Sequence, residues 1–388
     1  MIKTLFISAW YPNRYDEMFG LFVRKHAEAV SLYCDVQVLY VHPSSDIRHF
    51  ETEIRQNGKV KETIVYFPTS KSGVFSKLLK QINFLRAYLK GWRMLQKSGF
   101  RPDIVHANIL TRTGLVAYGI HLFTRIPYVI TEHWTRYLPL RKSYNGLLRK
   151  KITEFVVKHA AAVFPVSENL KKAMISNKLY NKNYFVVNNT VDDVFLTKVP
   201  KVSETKKIIL HVSCFDEQQK NVKGLLNSLK ALSINRSDFK MIFIGTGVDF
   251  KEVVDYSVKL NFPEDVIHFV GEKNPAEVAE YMKNADFFVL FSNYENSPVV
   301  ISESLVCGKP VISTDVGGIA EHINETNGIL IPARDEKMLL ESLNFMLDHF
   351  QDYDAEKLSQ EAVEKFSMKN VGKTIVEQYE KILGKNSE

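Results

Sequence analysis

The chain has 388 residues, 45% hydrophobic and 24% charged. That balance excludes a disordered or low-complexity protein, and the length exceeds what one core usually serves, so two domains are expected. The net charge of +7 conceals an asymmetry: residues 1–200 hold 30 Lys+Arg against 14 Asp+Glu, and residues 201–388 hold 21 against 30.

In chain order, residues 3–9 form a short apolar run with the length and flanks of a buried parallel strand, and a loop over 10–20 follows. A helix is expected over 21–32 and strands over 36–40 and 60–67. Residues 76–96 read as a long amphipathic helix, with Leu78, Ile82, Leu85, Leu89 and Trp92 as its apolar stripe. Lys77, Lys80, Arg86, Lys90, Arg93 and Lys97 occupy the other face. Such a helix either packs on a sheet by that stripe or lies on a membrane surface. Pro102 precedes a strand over 103–107, and a helix follows near Thr113. Pro127 opens a strand over 128–131 that runs into Glu132-His133. A further strand over 160–165 leads to Ser167, the cap of a helix beginning near Glu168. An extended stretch over 184–187 closes the first domain.

Residues 197–207, with Pro200, read as the interdomain linker. The second domain repeats the alternation, with strands over 208–212, 240–244, 266–269, 287–291, 310–313 and 328–331. Helices over 224–233 and 296–307 lie between them. The expected domains are 1–197 and 207–370, with a last helix in 371–388 that can pack back on the first domain. Alternating strands and helices imply parallel α/β architecture. Ligands in such sheets bind beyond the carboxyl ends of the strands. Ser213, Gly245, Gly247, Gly271, Ser292 to Pro298 and Gly317-Gly318 fall there in the second domain, and His106, His133 and Ser167 in the first.

The stretch Ser292-Asn293-Tyr294-Glu295-Asn296-Ser297-Pro298-Val299-Val300-Ile301-Ser302-Glu303 resembles the glutamate pair of the retaining GT-B glycosyltransferases, family 4 (the group 1 glycosyl transferases). Gly308-Lys309-Pro310, Val316-Gly317-Gly318 and Asn327-Gly328 follow in that family's order. Asn189-Thr190-Val191-Asp192, Lys220-Asn221 and Gly245-Thr246-Gly247 precede it. The resemblance spans almost the whole chain. It implies a GT-B fold, two Rossmann-like domains facing each other across a cleft, and transfer of a sugar from a nucleotide-sugar donor, UDP- or GDP-linked.

The resemblance also implies roles. Glu303 would bind the donor ribose and Glu295 the donor sugar near the reacting carbon. Lys220 would neutralise the diphosphate, with Lys223 as a rival. Asn296, Ser297, Pro298 and Val299 would start a helix whose amides face an anion. Gly245 and Gly247 would let backbone approach the donor, as would Gly20 in the first loop. His133 would lie near the sugar's 6-position, whereas His106 fits a structural or acceptor-side role. Many members carry an arginine after the first strand of the second domain. Here the run is Ser213-Cys214-Phe215, so the diphosphate clamp needs another residue, for which Arg24 is one candidate.

Retention without an evident protein nucleophile fits a front-face path, in which the departing phosphate accepts the acceptor's proton. Neither a metal nor any cofactor beyond the donor is expected. The acceptor would be a glycan or a lipid-linked or phosphorylated molecule, in a pathway such as surface polysaccharide assembly. The +16 half suggests an anionic partner for the first domain. A second basic cluster, Arg136, Arg141, Lys142, Arg149, Lys150 and Lys151, adds to it. Membrane headgroups or a phosphorylated acceptor fit this field at least as well as nucleic acid, for which no convincing recognition module is visible, and plain solubility charge is the other reading. Cys34, Cys214 and Cys307 are widely spaced and read as reduced thiols. No signal peptide or bilayer-spanning run is visible. A cytoplasmic location follows, with peripheral attachment to the inner face of the membrane as an option. Two rival readings stay open: a same-fold epimerase or phosphorylase-like enzyme, and a non-catalytic binding subunit.

Overall fold

The structure is a computed structural model that describes residues 1–69, 76–141, 143–197 and 205–385, residue 140 through its backbone alone. It divides into two compact units, Met1–Thr190 with Met368–Glu388, and Val191–Ser367.

The first unit is built on a sheet of seven strands: β1 (Lys3–Ser8), β2 (Asp35–Ser44), β3 (Glu51–Asn57), β4 (Val60–Pro68), β5 (Ile104–Asn108), β6 (Tyr128–Glu132) and β7 (Ala162–Pro165). Their order is β3-β4-β2-β1-β5-β6-β7. All neighbours are parallel except β3 and β4, an antiparallel hairpin. The helices are α1 (Leu21–Ser31), α2 (Ser76–Lys97), α3 (Leu110–Thr124), α4 (Leu147–His159) and α5 (Glu168–Ser176). Ala87, Tyr88 and Leu95 of α2, Leu110 and Ala117 of α3, Val156 of α4 and Leu170 of α5 share one core, so these four helices cover one face. Residues 184–187 form no named strand, although Phe185 and Val187 donate backbone hydrogen bonds to β7.

Packing of α2 differs from the sequence expectation. Its buried residues are Asn83, Ala87, Tyr88, Gly91 and Leu95, and Trp92 is half-buried. Leu78, Ile82, Leu85 and Leu89, the expected packing stripe, face solvent. At Gly91 the helix sits too close to β2 for any side chain: a Cβ there would lie 2.2 Å from Leu39 Cδ1.

The second unit has a parallel sheet of β8 (Lys207–Val212), β9 (Phe239–Ile244), β10 (Ile267–Phe269), β11 (Phe287–Leu290), β12 (Val311–Thr314) and β13 (Gly328–Ile331). The order is β10-β9-β8-β11-β12-β13. Its helices are α6 (Glu217–Lys220), α7 (Val222–Asn235), α8 (Phe250–Lys259), α9 (Pro275–Asn284), α10 (Val299–Val306), α11 (Glu336–His349) and α12 (Ala355–Phe366). The strands are near-continuous apolar runs because helices cover both faces.

The units divide at Thr190 rather than at residue 197. Val191 and Phe195 are buried in the second unit's core, so the chain has already joined it there. Of the expected linker, residues 198–204 lie outside the described residues, as does Lys142 of the basic cluster. The last helix, α13 (Met368–Leu383), belongs to the first unit and packs on α1. Gly372 makes that contact close: a Cβ there would stand 2.2 Å from the Ala29 carbonyl oxygen. Among the described residues no helix is long and apolar enough to cross a membrane.

Candidate functional site

In the second unit the strand order reverses between β8 and β11, and the loops leaving their carboxyl ends are where an open parallel sheet holds a ligand. After β8, Phe215 is buried, and Asp216 caps α6 by accepting from the Gln219 amide. Asn221 takes a left-handed turn at φ 49°, which lets α7 start at once. Lys220 is therefore the last residue of a one-turn helix and points inward, 7% exposed. After β11, Ser292 to Asn296 form the facing loop. The Asn293 amide donates to the Gln219 carbonyl at 2.7 Å, which ties the two loops together.

Glu295 is the hub. Its Oε1 accepts from Lys220 Nζ at 2.5 Å and from Ser292 Oγ at 2.8 Å. Its Oε2 accepts from Gln219 Nε2 at 3.3 Å. Burial alone would lower the Lys220 pKa, but the Glu295 carboxylate outweighs it and the net shift is upward, so the ammonium stays charged. Lys223 does not join this group. It is more exposed and its ammonium pairs with Glu252. Gly317 supports the Glu295 loop from below: at φ 62° it lies so near that a Cβ would stand 1.9 Å from the Glu295 carbonyl oxygen.

Glu303 is the fifth residue of α10 and is half-buried. Burial, reinforced by the Asp192 carboxylate, pushes its carboxyl up to about 8. The free protein thus keeps a proton there at neutral pH. The helix starts at Val299, not at Asn296: Pro298 has extended ψ (118°) and occupies the cap position. Asn296 and Ser297 are buried just ahead of it. A proline ring fixes φ without requiring that its residue be helical, so Pro298 can precede the first turn as readily as open it.

The three other predicted glycines have a structural reason for lacking a side chain. A Cβ on Gly245 would meet the Ser213 carbonyl oxygen, one on Gly247 the Phe215 amide, and one on Gly20 the Trp10 backbone, each closer than 3 Å. The chain's own backbone fills that space, so ligand approach is not what demands glycine there. Cys214 is exposed at the mouth of the β8 loop. Arg24, in the first unit, pairs with Glu28 one turn along α1.

The first unit also gathers polar and aromatic groups at the carboxyl ends of its strands. Glu132 is fully buried and organises the loop: Oε1 accepts from the His133 and Trp134 amides, both at 2.9 Å, and Oε2 from the Leu110 amide at 3.0 Å. Ile109, between β5 and α3, is held at φ 66°, a strained conformation for a β-branched residue. His133 is buried against the Phe22 and His26 rings and its Nδ1 donates to Asn189 Oδ1 at 3.2 Å. Burial, then His26, holds it well below the usual histidine range, so it is neutral. His106 belongs to the core instead. Its ring nitrogens bond Tyr379 Oη and Thr131 Oγ1, both at 2.5 Å, which leaves neither for a ligand.

Sequence reasoning overlooked Gln219, Trp10 and Trp134, and it had Asp192 only as part of a resembling block and Arg136 only as part of a basic cluster. Gln219 and Asp192 gain their positions beside Glu295 and Glu303 only through folding. Trp10 and Trp134 pack edge to face with ring centroids 4.9 Å apart, and the Arg136 guanidinium lies 3.3 Å from the centre of the Trp134 ring. No described ion pair engages Arg136. Its Nη1 donates to Thr111 Oγ1 at 3.4 Å.

Two family models match the chain. One, described as Glycosyltransferase Family 4, matches residues 27–195, and the other, described as Glycosyl transferases group 1, matches residues 195–364. A putative teichuronic acid biosynthesis glycosyltransferase of Bacillus subtilis is 22% identical over 88% of each chain. A Campylobacter jejuni N-acetylgalactosaminyltransferase, whose name specifies a diphospho-undecaprenol-linked acceptor, is 23% identical over 75% of this chain and 79% of its own. Among solved structures, Anabaena HepE in complex with UDP superposes with a TM-score of 0.72 at 16% identity, covering 98% of this chain and 100% of that one.

Proposed function

The chain is a glycosyltransferase of GT-B fold, related to the family 4 and group 1 glycosyl transferases, and from that premise we propose that it moves a sugar from a UDP- or GDP-linked donor to a glycan or lipid-linked acceptor, in surface polysaccharide assembly. The observation that carries the donor reading is the buried Lys220–Glu295 pair at the strand-order reversal of the second unit, with Glu303 on the helix that follows. A charged ammonium there suits a diphosphate. The second carboxyl can accept the two ribose hydroxyls. Glu295, held by three donors, is oriented to receive sugar hydroxyls rather than to act as an acid–base catalyst. Lys220 would shift from Glu295 toward the leaving phosphate as negative charge grows on it. The configuration of the donor sugar is retained along a front-face path, with the phosphate oxygen taking the acceptor's proton.

The acceptor reading rests on the first unit. The half-buried Trp10 and Trp134 rings supply apolar surface beside which a sugar can lie, and Arg136, which makes no ion pair within 4 Å among the described residues, supplies a guanidinium suited to phosphate or carboxylate. The names of the Bacillus and Campylobacter relatives support a surface-polymer or lipid-diphosphate acceptor. A panel of UDP- and GDP-sugars, tested for binding by titration and then for transfer to lipid-diphosphate glycans, tests both halves. Binding of neither nucleotide diphosphate would overturn the donor reading.

A further inference from the structure

Asn83, Ala87 and Gly91, together with Tyr88 and Leu95, seat α2 on its sheet, and several of its large apolar residues are left outside. Leu78 and Leu85 are 61% and 60% exposed, and Ile82 and Leu89 are exposed beside them. Spacings of four, three and four residues stack these side chains into one stripe opposite the buried Ala87 and Gly91. Scattered apolar residues on a surface are ordinary, but a continuous stripe of four on one helix marks a surface that is covered in use. The start of α4, on the same side of the sheet, adds Leu147 and Leu148, 84% and 76% exposed.

Charge decides what the cover is. Arg86 and Arg93 lie along one flank of the stripe, and neither α2 nor α3 contains an acidic residue. Residues 63–131 hold ten Lys and Arg and a single acidic residue, Asp103. Leu147-Leu148 is followed directly by Arg149, Lys150 and Lys151. A second copy of the chain would bring like charges together, which opposes self-association through this face. An anionic lipid surface supplies both an apolar layer for the leucines and phosphates for the cations.

We propose that the first unit docks on anionic membranes through α2, with the Leu78–Ile82–Leu85–Leu89 stripe seated at the acyl boundary and the flanking arginines and lysines on lipid phosphates. This extends the lipid-linked acceptor reading. The test uses vesicles that carry neither donor nor acceptor, so its failure would leave the transfer reaction standing.

The experiment is co-sedimentation of the full chain with vesicles of phosphatidylcholine alone or mixed with phosphatidylglycerol, at low and high salt. Pelleting is expected with the anionic vesicles only, and it should weaken as salt rises. The double variant Leu85→Gln/Leu89→Gln changes exposed side chains, and its circular dichroism and melting should match the parent. Its affinity for anionic vesicles should fall by ~10-fold or more. Equal, negligible pelleting with both vesicle types at low salt would overturn the proposal. So would undiminished binding by the double variant, or a concentration-dependent dimer that this variant abolishes.

Discussion

A proton on Glu303 reports donor binding. Burial and the Asp192 carboxylate hold its carboxyl at about 8 in the free protein, whereas the proposed ribose contact uses the ionised form as a double acceptor. Binding must therefore expel the proton. With that pKa, about 1% of the free protein is ionised at pH 6, about 10% at pH 7 and about half at pH 8. UDP affinity should rise ~50-fold from pH 6 to pH 8, with ~0.9 proton released at pH 7. The nucleotide's own terminal phosphate ionises near pH ~6, so Glu303→Gln is the reference: it keeps the shape, cannot ionise, and shows the nucleotide's share alone. Calorimetric titration at three pH values, in buffers of different ionisation enthalpy, reads both quantities. The linkage has a stability counterpart. A carboxyl whose pKa rises on folding favours the fold at low pH and loses that contribution between its unfolded pKa and about 8. Glu303→Gln should thus gain ~2 kcal/mol relative to the parent between pH 5 and pH 9, less than the whole shift implies because Glu303 is half-buried. Identical pH slopes and identical proton counts in the two proteins would refute the reasoning.

Glu295→Gln should lower turnover by ~100-fold or more while nucleotide diphosphate affinity stays within ~5-fold, because Glu295 is assigned to the sugar and not to the phosphates; a loss confined to affinity would contradict this. The same variant leaves Lys220 buried without its counter-charge and should cost ~3 kcal/mol in denaturant unfolding. Gly317→Ala should disturb the Glu295 loop through a clash with its carbonyl oxygen, losing ~2 kcal/mol or more along with donor binding; a parent-like melt and affinity would show that the loop tolerates the shift. Transfer activity is expected to persist in excess chelator, since Lys220 supplies the cation at the leaving phosphate, and complete loss restored by magnesium or manganese would count against that role.

The buried parallel strands were legible because helices cover both faces of each sheet, which leaves apolar runs such as that of β11. What stayed hidden had physical causes. The packing face of α2 is made of Asn83, Ala87, Tyr88, Gly91 and Leu95, small or polar residues with only two large apolar ones among them, so leucine periodicity pointed to the wrong side. β3 is a polar, half-exposed edge strand, and its Asn57-Gly58 turn was the only cue to the hairpin. The Glu295–Glu303 stretch is local in sequence and could be read as a motif. The partners that set its chemistry, Gln219, Lys220 and Asp192, lie on other elements; Lys220 and Asp192 sat in resembling blocks, but only Lys220 was given a role there, and Gln219 carried no sequence signal. His106 could not be assigned to the core from its own neighbourhood, because the hydroxyl that holds it comes from Tyr379 on the last helix.

The most direct test of the central claim is acceptor-dependent sugar transfer. Purified protein would be incubated with UDP- and GDP-sugars and a lipid-diphosphate glycan, and the acceptor's mass gain, the released nucleoside diphosphate and the new anomeric linkage would be read by mass spectrometry and NMR. The account predicts one added sugar per nucleoside diphosphate released, with the donor's configuration retained and the reaction slowed by ~100-fold or more in Glu295→Gln. An epimerised nucleotide sugar, or turnover of every donor without any gain in acceptor mass, would contradict it.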